Sequence, residues 1–282
     1  MKIFTHTSTL TETISKLKTD GLQIGFVPTM GALHKGHLSL VKKANDECDI
    51  TIVSIFVNPT QFNNKQDLAT YPTNLDKDKV MLKESESDIL FAPSVSEIYP
   101  NGEVTNTYNL NGLDLVYEGA KRPGHFDGVC TVVHRLLSIT QADRAYFGQK
   151  DFQQLAIIRQ MVNETTLQTK IIEGPTIRES SGLAMSSRNQ LLSAHDRKYA
   201  TIIYKLLTEA KQSYGKRPIS DILTTITKTI NSQKNMIIDY VDIVNPRNLK
   251  PIKSSTHIVE AHILIAVFIG EVRLIDNLAL ND

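Results

Sequence analysis

Cysteine is scarce: Cys48 and Cys130 are the only two in 282 residues, and they form no CxxC pair. That excludes disulfide scaffolds and cysteine-built zinc sites, and it points to a reducing, cytoplasmic setting. An excess of one charge is also missing, since 31 Lys+Arg face 30 Asp+Glu for a formal net charge of +1. Such a chain has no large field for wrapping nucleic acid or lying on an anionic bilayer, so neither partner is expected. Apolar stretches are short; those near 50–57 and 263–269 fall well below the roughly 18 residues that a membrane span needs. No basic-then-apolar leader opens the chain either, so the expectation is a protein that neither crosses nor enters a membrane. Two familiar phosphate cradles are absent as well: there is no GxxxxGK[ST], and no GxGxxG follows a strand.

What is present fits an ordinary globular enzyme. The hydrophobic fraction is 41%, and a chain of this length reaches the size at which one core stops growing, so one large domain or two unequal ones are expected. Leu22–Val27, Ile50–Val57 and Ile89–Phe91 read as buried strands, with helical patterns between them at Leu38–Glu47 and Asn74–Glu84. A second set follows: a helix from Gly124 to about Ile139, the strand Ala145–Phe147, a helix from Phe152 to about Val162, and the strand Lys170–Ile172. This alternation predicts βαβ units and a doubly wound parallel sheet over residues 1–176.

After Pro175 the texture changes. Ser193 with Asp196 opens a helix running towards Gln212, and Pro218 is expected in the first turn of another. Ile237–Val244, Ala261–Ile269 and Val272–Ile275, the last two around Gly270, suggest a small antiparallel sheet. Residues 177–282 are therefore expected to form a smaller α+β domain.

Ligands of open parallel sheets bind beyond the carboxyl ends of the strands. After the first predicted strand comes Pro28-Thr29-Met30-Gly31-Ala32-Leu33-His34-Lys35-Gly36-His37, where two glycines allow close backbone approach and two histidines sit three apart at a helix start that attracts anions. After the second comes Asn58-Pro59-Thr60-Gln61-Phe62, with neutral amides suited to hydroxyls and carboxylates. Gly148-Gln149-Lys150-Asp151-Phe152-Gln153-Gln154 places a cation and an anion at another helix start. Gly182-Leu183-Ala184-Met185-Ser186-Ser187-Arg188-Asn189 offers two hydroxyls and a guanidinium that could wrap a polyphosphate. A fifth segment, Arg122 to Gly128, precedes the long helix and reads as its start signal.

Together, PTMGALHKGH (28–37), FVNPTQF (56–62), RPGHFDGV (122–129), FGQKDFQQ (147–154), GLAMSSRN (182–189) and RLIDN (273–277) resemble the pantoate–β-alanine ligase family, in its order and over nearly the whole chain. HKGH also resembles the HIGH element of the wider nucleotidyltransferase and class I tRNA-synthetase group, and MSSRN its mobile KMSKS element. The resemblance implies a Rossmann-like nucleotidyltransferase fold that binds ATP and pantoate in the first domain. It implies two half-reactions through a pantoyl adenylate, a magnesium ion on the phosphates with no protein ligand readable, and a homodimer. Carried over position by position, the ATP site falls on Met30, Gly31, Ala32, Leu33, His34, Lys35, Gly36 and His37, on Gly148, Gln149, Lys150 and Asp151, on Ile177, and on Met185, Ser186, Ser187 and Arg188. His34, His37, Lys150, Ser186, Ser187 and Arg188 are the implied catalytic donors, with His37 giving a proton. Gln61 and Gln154 would hold pantoate, and Gln61 also lies where β-alanine would arrive.

All these donors are expected to converge on one triphosphate, with the 185–188 loop closing over it. Two positions depart from the family pattern, Ser181 where an aspartate is common and Thr73 where an arginine is common. Neither carries a role above. Cys130, in an apolar helical context, reads as core. The competing reading is a nucleotidylyltransferase that moves AMP onto a phosphate acceptor; FVNPTQF and RPGHFDGV argue against it.

Overall fold

The computed structural model describes residues 1–253 and 260–281, which divide into two compact units, 1–149 with 153–175, and 150–152 with 176–253 and 260–281. In the first unit the elements are β1 (Lys2–Phe4), α1 (Thr7–Thr19), β2 (Ile24–Thr29), α2 (Lys35–Glu47), β3 (Ile50–Ile55), α3 (Lys65–Ala69), α4 (Leu75–Glu84), β4 (Ile89–Phe91), α5 (Val95–Ile98), α6 (Tyr117–Lys121), α7 (His125–Thr140), β5 (Arg144–Gly148), α8 (Phe152–Glu164, whose first residue counts with the second unit) and β6 (Lys170–Gly174). The six strands pair in parallel in the order β1-β4-β3-β2-β5-β6. β2 and β3 are apolar almost without alternation because both faces of the sheet are covered. On one face Val27 and Val53 meet Leu40, Val41 and Ala44 of α2 and Leu82 of α4. α7 packs against β2 and α1, and it is buried on nearly every side, as a helix this apolar must be.

The strand order reverses between β2 and β5. That is the switch point at which the segments following two neighbouring strands part and leave a crevice. The Met30–His34 turn follows β2 and Gln149 follows β5.

The second unit holds α9 (Ala194–Ser213), α10 (Ile219–Asn231) and the antiparallel sheet β7 (Met236–Val244), β8 (His262–Ile269), β9 (Val272–Ala279). Ile222, Ile226 and Ile230 of α10 pack with Ile203 and Leu207 of α9 on Ile263, Ile265 and Val267 of β8. β8 turns into β9 through Gly270 at φ +55°.

Several details differ from expectation. β1 and α1 lie where no element is predicted: Leu10 and Ile14 are the only fully buried anchors in a helix otherwise rich in threonine and lysine. α2 begins at Lys35, ahead of the Leu38–Glu47 periodicity and one residue before the start at about Gly36 that the turn suggests, because His34 caps it. Pro218 is the N-cap of α10, outside its first turn, and β9 runs to Ala279.

Candidate active site

The turn after β2 is held from behind by an acid. Gly31 (φ +81°) and Ala32 (φ +50°) are both left-handed, a conformation that costs a residue with a Cβ about 1–2 kcal/mol. Asp78, in the first turn of α4 and 1% exposed, accepts the Ala32 N–H at 2.9 Å and the Leu33 N–H at 2.8 Å, one on each oxygen. Two charge-assisted bonds offset the strain. A Cβ on Gly31 would lie 3.0 Å from the Asp78 carboxylate, so a larger residue would strain the backbone and push on the acid together.

This turn delivers His34 and His37 to the start of α2 as a reciprocal cap. His34 Nδ1 accepts the Gly36 N–H at 3.1 Å, and His37 Nδ1 accepts the His34 N–H at 3.3 Å. Because a backbone N–H can only donate, both Nδ1 atoms are acceptors and each neutral ring carries its proton on Nε2. The rings stack with centroids 4.1 Å apart. No acidic residue occupies the first turn of α2, so two Nε2–H donors stand at a helix N-terminus whose dipole favours anions.

The NPTQ segment forms a 3-10 turn, Pro59–Gln61, after β3. Asn58 is 1% exposed; its amide donates to Gln61 Oε1 and to the Gly128 carbonyl, both at 3.1 Å, and its Oδ1 accepts from Tyr99 at 2.7 Å. Gln61 Nε2 in turn reaches Met30 Sδ at 3.1 Å. The RPGHFDG segment secures this turn. A Cβ on Gly128 would stand 2.4 Å from the Thr60 carbonyl oxygen, so glycine lets α7 touch the backbone of the turn. Arg122 donates to His125 Nε2 at 3.1 Å; since a guanidinium cannot accept, the His125 proton sits on Nδ1 and is donated to the Gln61 carbonyl at 2.8 Å.

Of the paired glutamines at the start of α8, Gln153 is committed to the scaffold, accepting from the Glu118 N–H and donating to the Leu113 and Val116 carbonyls. Gln154 is half-buried.

In the second unit two consecutive β9 residues anchor the candidates that lie there. Asp276 takes Arg178 in a bidentate pair at 2.6 and 2.9 Å, with the guanidinium over the Tyr204 ring at 3.8 Å. Arg178 lies on a tight hairpin in which the Met185 N–H bonds the Ile177 carbonyl and Gly182 turns at φ +88°. Ser186 caps the following 3-10 turn, Ser187–Leu191, by accepting the Arg188 N–H at 3.2 Å, and buried Asn189 ties that turn back to Ala184 and Glu179. Asn277 donates to the Lys150 carbonyl at 2.8 Å. The Lys150 ammonium, 19% exposed, pairs with Asp151 at 3.2 Å.

Within the first unit, then, Met30–His37 and Gln61 are brought together. Within the second, Lys150, Asp151, Ile177 and Met185–Arg188 are tied to β9. Asp78, His125, Asp276 and Asn277 emerge as organisers that sequence reasoning gave no role. Cys130 is fully buried, and burial pushes its thiol up to about 12, which suits core rather than a nucleophile.

A parallel sheet with this switch point and an HxGH helix start define the Rossmann-like nucleotidyltransferase class of α/β proteins. The chain belongs to one family within it: the family model described as pantoate-beta-alanine ligase matches residues 2–279. It is 42% identical over 283 residues to the pantothenate synthetase of Christiangramia forsetii, with 100% of both chains covered. With that of Caldicellulosiruptor saccharolyticus it shares 46% over 272 residues, 95% of each. Among solved structures, a pantothenate synthetase from Thermus thermophilus superposes with a TM-score of 0.93 at 38% identity over 100% of both chains. The pantoate-beta-alanine ligase from Francisella tularensis, complexed with beta-gamma ATP and beta-alanine, gives 0.82 at 40% identity, covering 99% and 98%.

Proposed function

We infer that this chain joins (R)-pantoate to β-alanine at the expense of ATP. The pantoate carboxylate attacks the α-phosphorus, releasing pyrophosphate and forming pantoyl adenylate. The β-alanine amine then attacks the acyl carbon and AMP leaves, giving pantothenate. Family membership over residues 2–279 supports the reaction, and the reciprocal histidine cap is the observation that carries the chemistry. Two preset Nε2–H donors at a helix N-terminus suit a step in which charge moves onto a leaving pyrophosphate, because donors already in place need no reorganisation as that charge develops.

In this reading Met30–His37, Gly148–Asp151, Ile177 and Met185–Arg188 bind ATP. His34, His37, Lys150, Ser186, Ser187 and Arg188 donate to phosphate oxygens, and Gln61 and Gln154 hold pantoate. Since both Nδ1 atoms are spent on backbone N–H groups, the pair acts as donor only. The proton lost by the β-alanine ammonium therefore passes to solvent. The 185–188 segment closes over the nucleotide and keeps water from the acyl adenylate.

Magnesium would arrive with ATP. Among the described residues no group of three His, Cys, Asp or Glu is placed to hold a metal ion, and no step is routed through it; bound with ATP, the ion would supply charge neutralisation at the phosphates. The cytoplasm is the proposed compartment, where ATP is abundant and the thiols of Cys48 and Cys130 persist. The family resemblance supports a homodimer, which light scattering tests.

The deciding experiment is a pyrophosphate-release assay with each substrate omitted in turn. Release should require ATP and pantoate, and amide formation should require β-alanine as well. Pyrophosphate released without pantoate, or AMP moved onto a phosphate acceptor, would overturn the reading.

A further inference from the structure

The RLIDN segment and the buried histidine beside it have no part in the chemistry above, yet they form a directional chain ending at Lys150. Asn277 Nδ2 donates to the Lys150 carbonyl at 2.8 Å, which turns Asn277 Oδ1 towards His262, 2.9 Å from its Nε2. An amide oxygen only accepts, so the proton of that contact belongs to His262 Nε2. The His262 ring also lies flat on Phe152, centroids 3.9 Å apart and planes 12° from parallel. Both His262 and Asn277 are 4% exposed. The three-residue segment Lys150–Phe152 is thus fixed twice: by a hydrogen bond to its first carbonyl and by a ring stacked on its last side chain.

We propose that Asn277 and His262 are positioning residues for Lys150, setting the turn from which its ammonium meets the nucleotide phosphates. This rests on the role given to Lys150 above. A lysine that must meet developing charge gains most from a fixed backbone, because each misplacement weakens a bond made most strongly in the transition state. Polarity matters more than shape here. Asn277→Asp keeps the size but sets an acceptor against the Lys150 carbonyl. His262→Phe keeps a ring on Phe152 but deletes the N–H, whereas His262→Gln restores a donor at similar reach.

The test is ATP–pyrophosphate exchange with pantoate, resolved into kcat and KM, on the full chain. Asn277→Asp and His262→Phe should each lower kcat about 10–100-fold, the scale of one buried polar group left unpaired. KM for ATP should change little, and His262→Gln should recover most of the loss. Lys150→Ala, alone and combined with Asn277→Asp, separates the two claims. If Asn277 acts through Lys150, its substitution adds no further loss in the Lys150→Ala background. A fully multiplicative loss, or losses in His262→Gln equal to those in His262→Phe, would overturn the positioning role. Unchanged exchange in Lys150→Ala would instead overturn the role given to Lys150.

Discussion

Replacing Asp78 with asparagine tests whether the histidine-bearing turn is held from behind. The carboxylate meets two N–H donors, Ala32 at 2.9 Å and Leu33 at 2.8 Å, in a place 1% exposed. An amide offers one oxygen and one NH2, so one of those donors must face another donor with no water to relieve it. Losing a charge-assisted bond and stranding a buried N–H costs about 2–3 kcal/mol, which in a chain of this size lowers the melting temperature by roughly 4–12 °C. The functional effect should be separable, because the carboxylate bonds the N–H of Ala32, a left-handed residue at φ +50° that is expected to relax without it. Relaxation of that residue swings His34 away from its cap. Pyrophosphate exchange measured well below the melting temperature should therefore fall by about 10–100-fold, equivalent to about 1.4–2.7 kcal/mol in the barrier. A variant that melts early yet exchanges at the normal rate would show that Asp78 supports stability alone. One unchanged in both melting and exchange would refute the hydrogen-bond argument.

His37→Ala removes one Nε2–H donor and should lower adenylate formation by roughly 10²–10³-fold, read as pyrophosphate exchange. Gln61→Ala should raise the KM for pantoate about 3–10-fold, the range of one neutral hydrogen bond, and leave that for ATP in place. Gly128→Ala would drive a methyl to 2.4 Å from the Thr60 carbonyl; thermal melts should show a loss of about 1–3 kcal/mol, with pantoate binding weakened in parallel. The Thr7 N–H and His6 hold the Glu97 carboxyl down to about 2 from an ordinary 4.5. A depressed folded-state value stabilises above the unfolded value, so this contribution is complete above pH 4.5 and disappears as pH falls to about 2. The melting-temperature gap between the native chain and Glu97→Gln should close over that window, and a constant gap would contradict the linkage.

Much of the scaffold was legible because β2, β3 and β4 are short apolar runs separated by helical periodicity, a pattern that a sheet buried on both faces imposes. The stretch containing β1 and α1 was not, since two buried anchors in thirteen residues leave almost no periodic signal. For the site, HKGH could be read as an anion-facing helix start from local chemistry alone. Asp78 could not: in NLDKDK it resembles a solvated acid, and its burial comes from a turn 45 residues earlier. RPGHFDG and RLIDN stood out as motifs without tasks, because what His125 and Asn277 do depends on carbonyls 64 and 127 positions away. Between Gln153 and Gln154 local pattern gives no means of choosing. Only the fold shows that the first is consumed by the Leu113–Glu118 backbone.

The reciprocal cap at His34 and His37 narrows what either position can become. Lysine or arginine would bring a full charge to phosphate, but neither has a lone pair to receive the Gly36 or His34 N–H, so a stronger cation would arrive on a frayed helix. Aspartate or serine would close the helix while surrendering the Nε2–H donor. Imidazole is the side chain that accepts on one edge and donates at its far nitrogen, and here anchoring and catalysis draw on opposite sides of the same small ring.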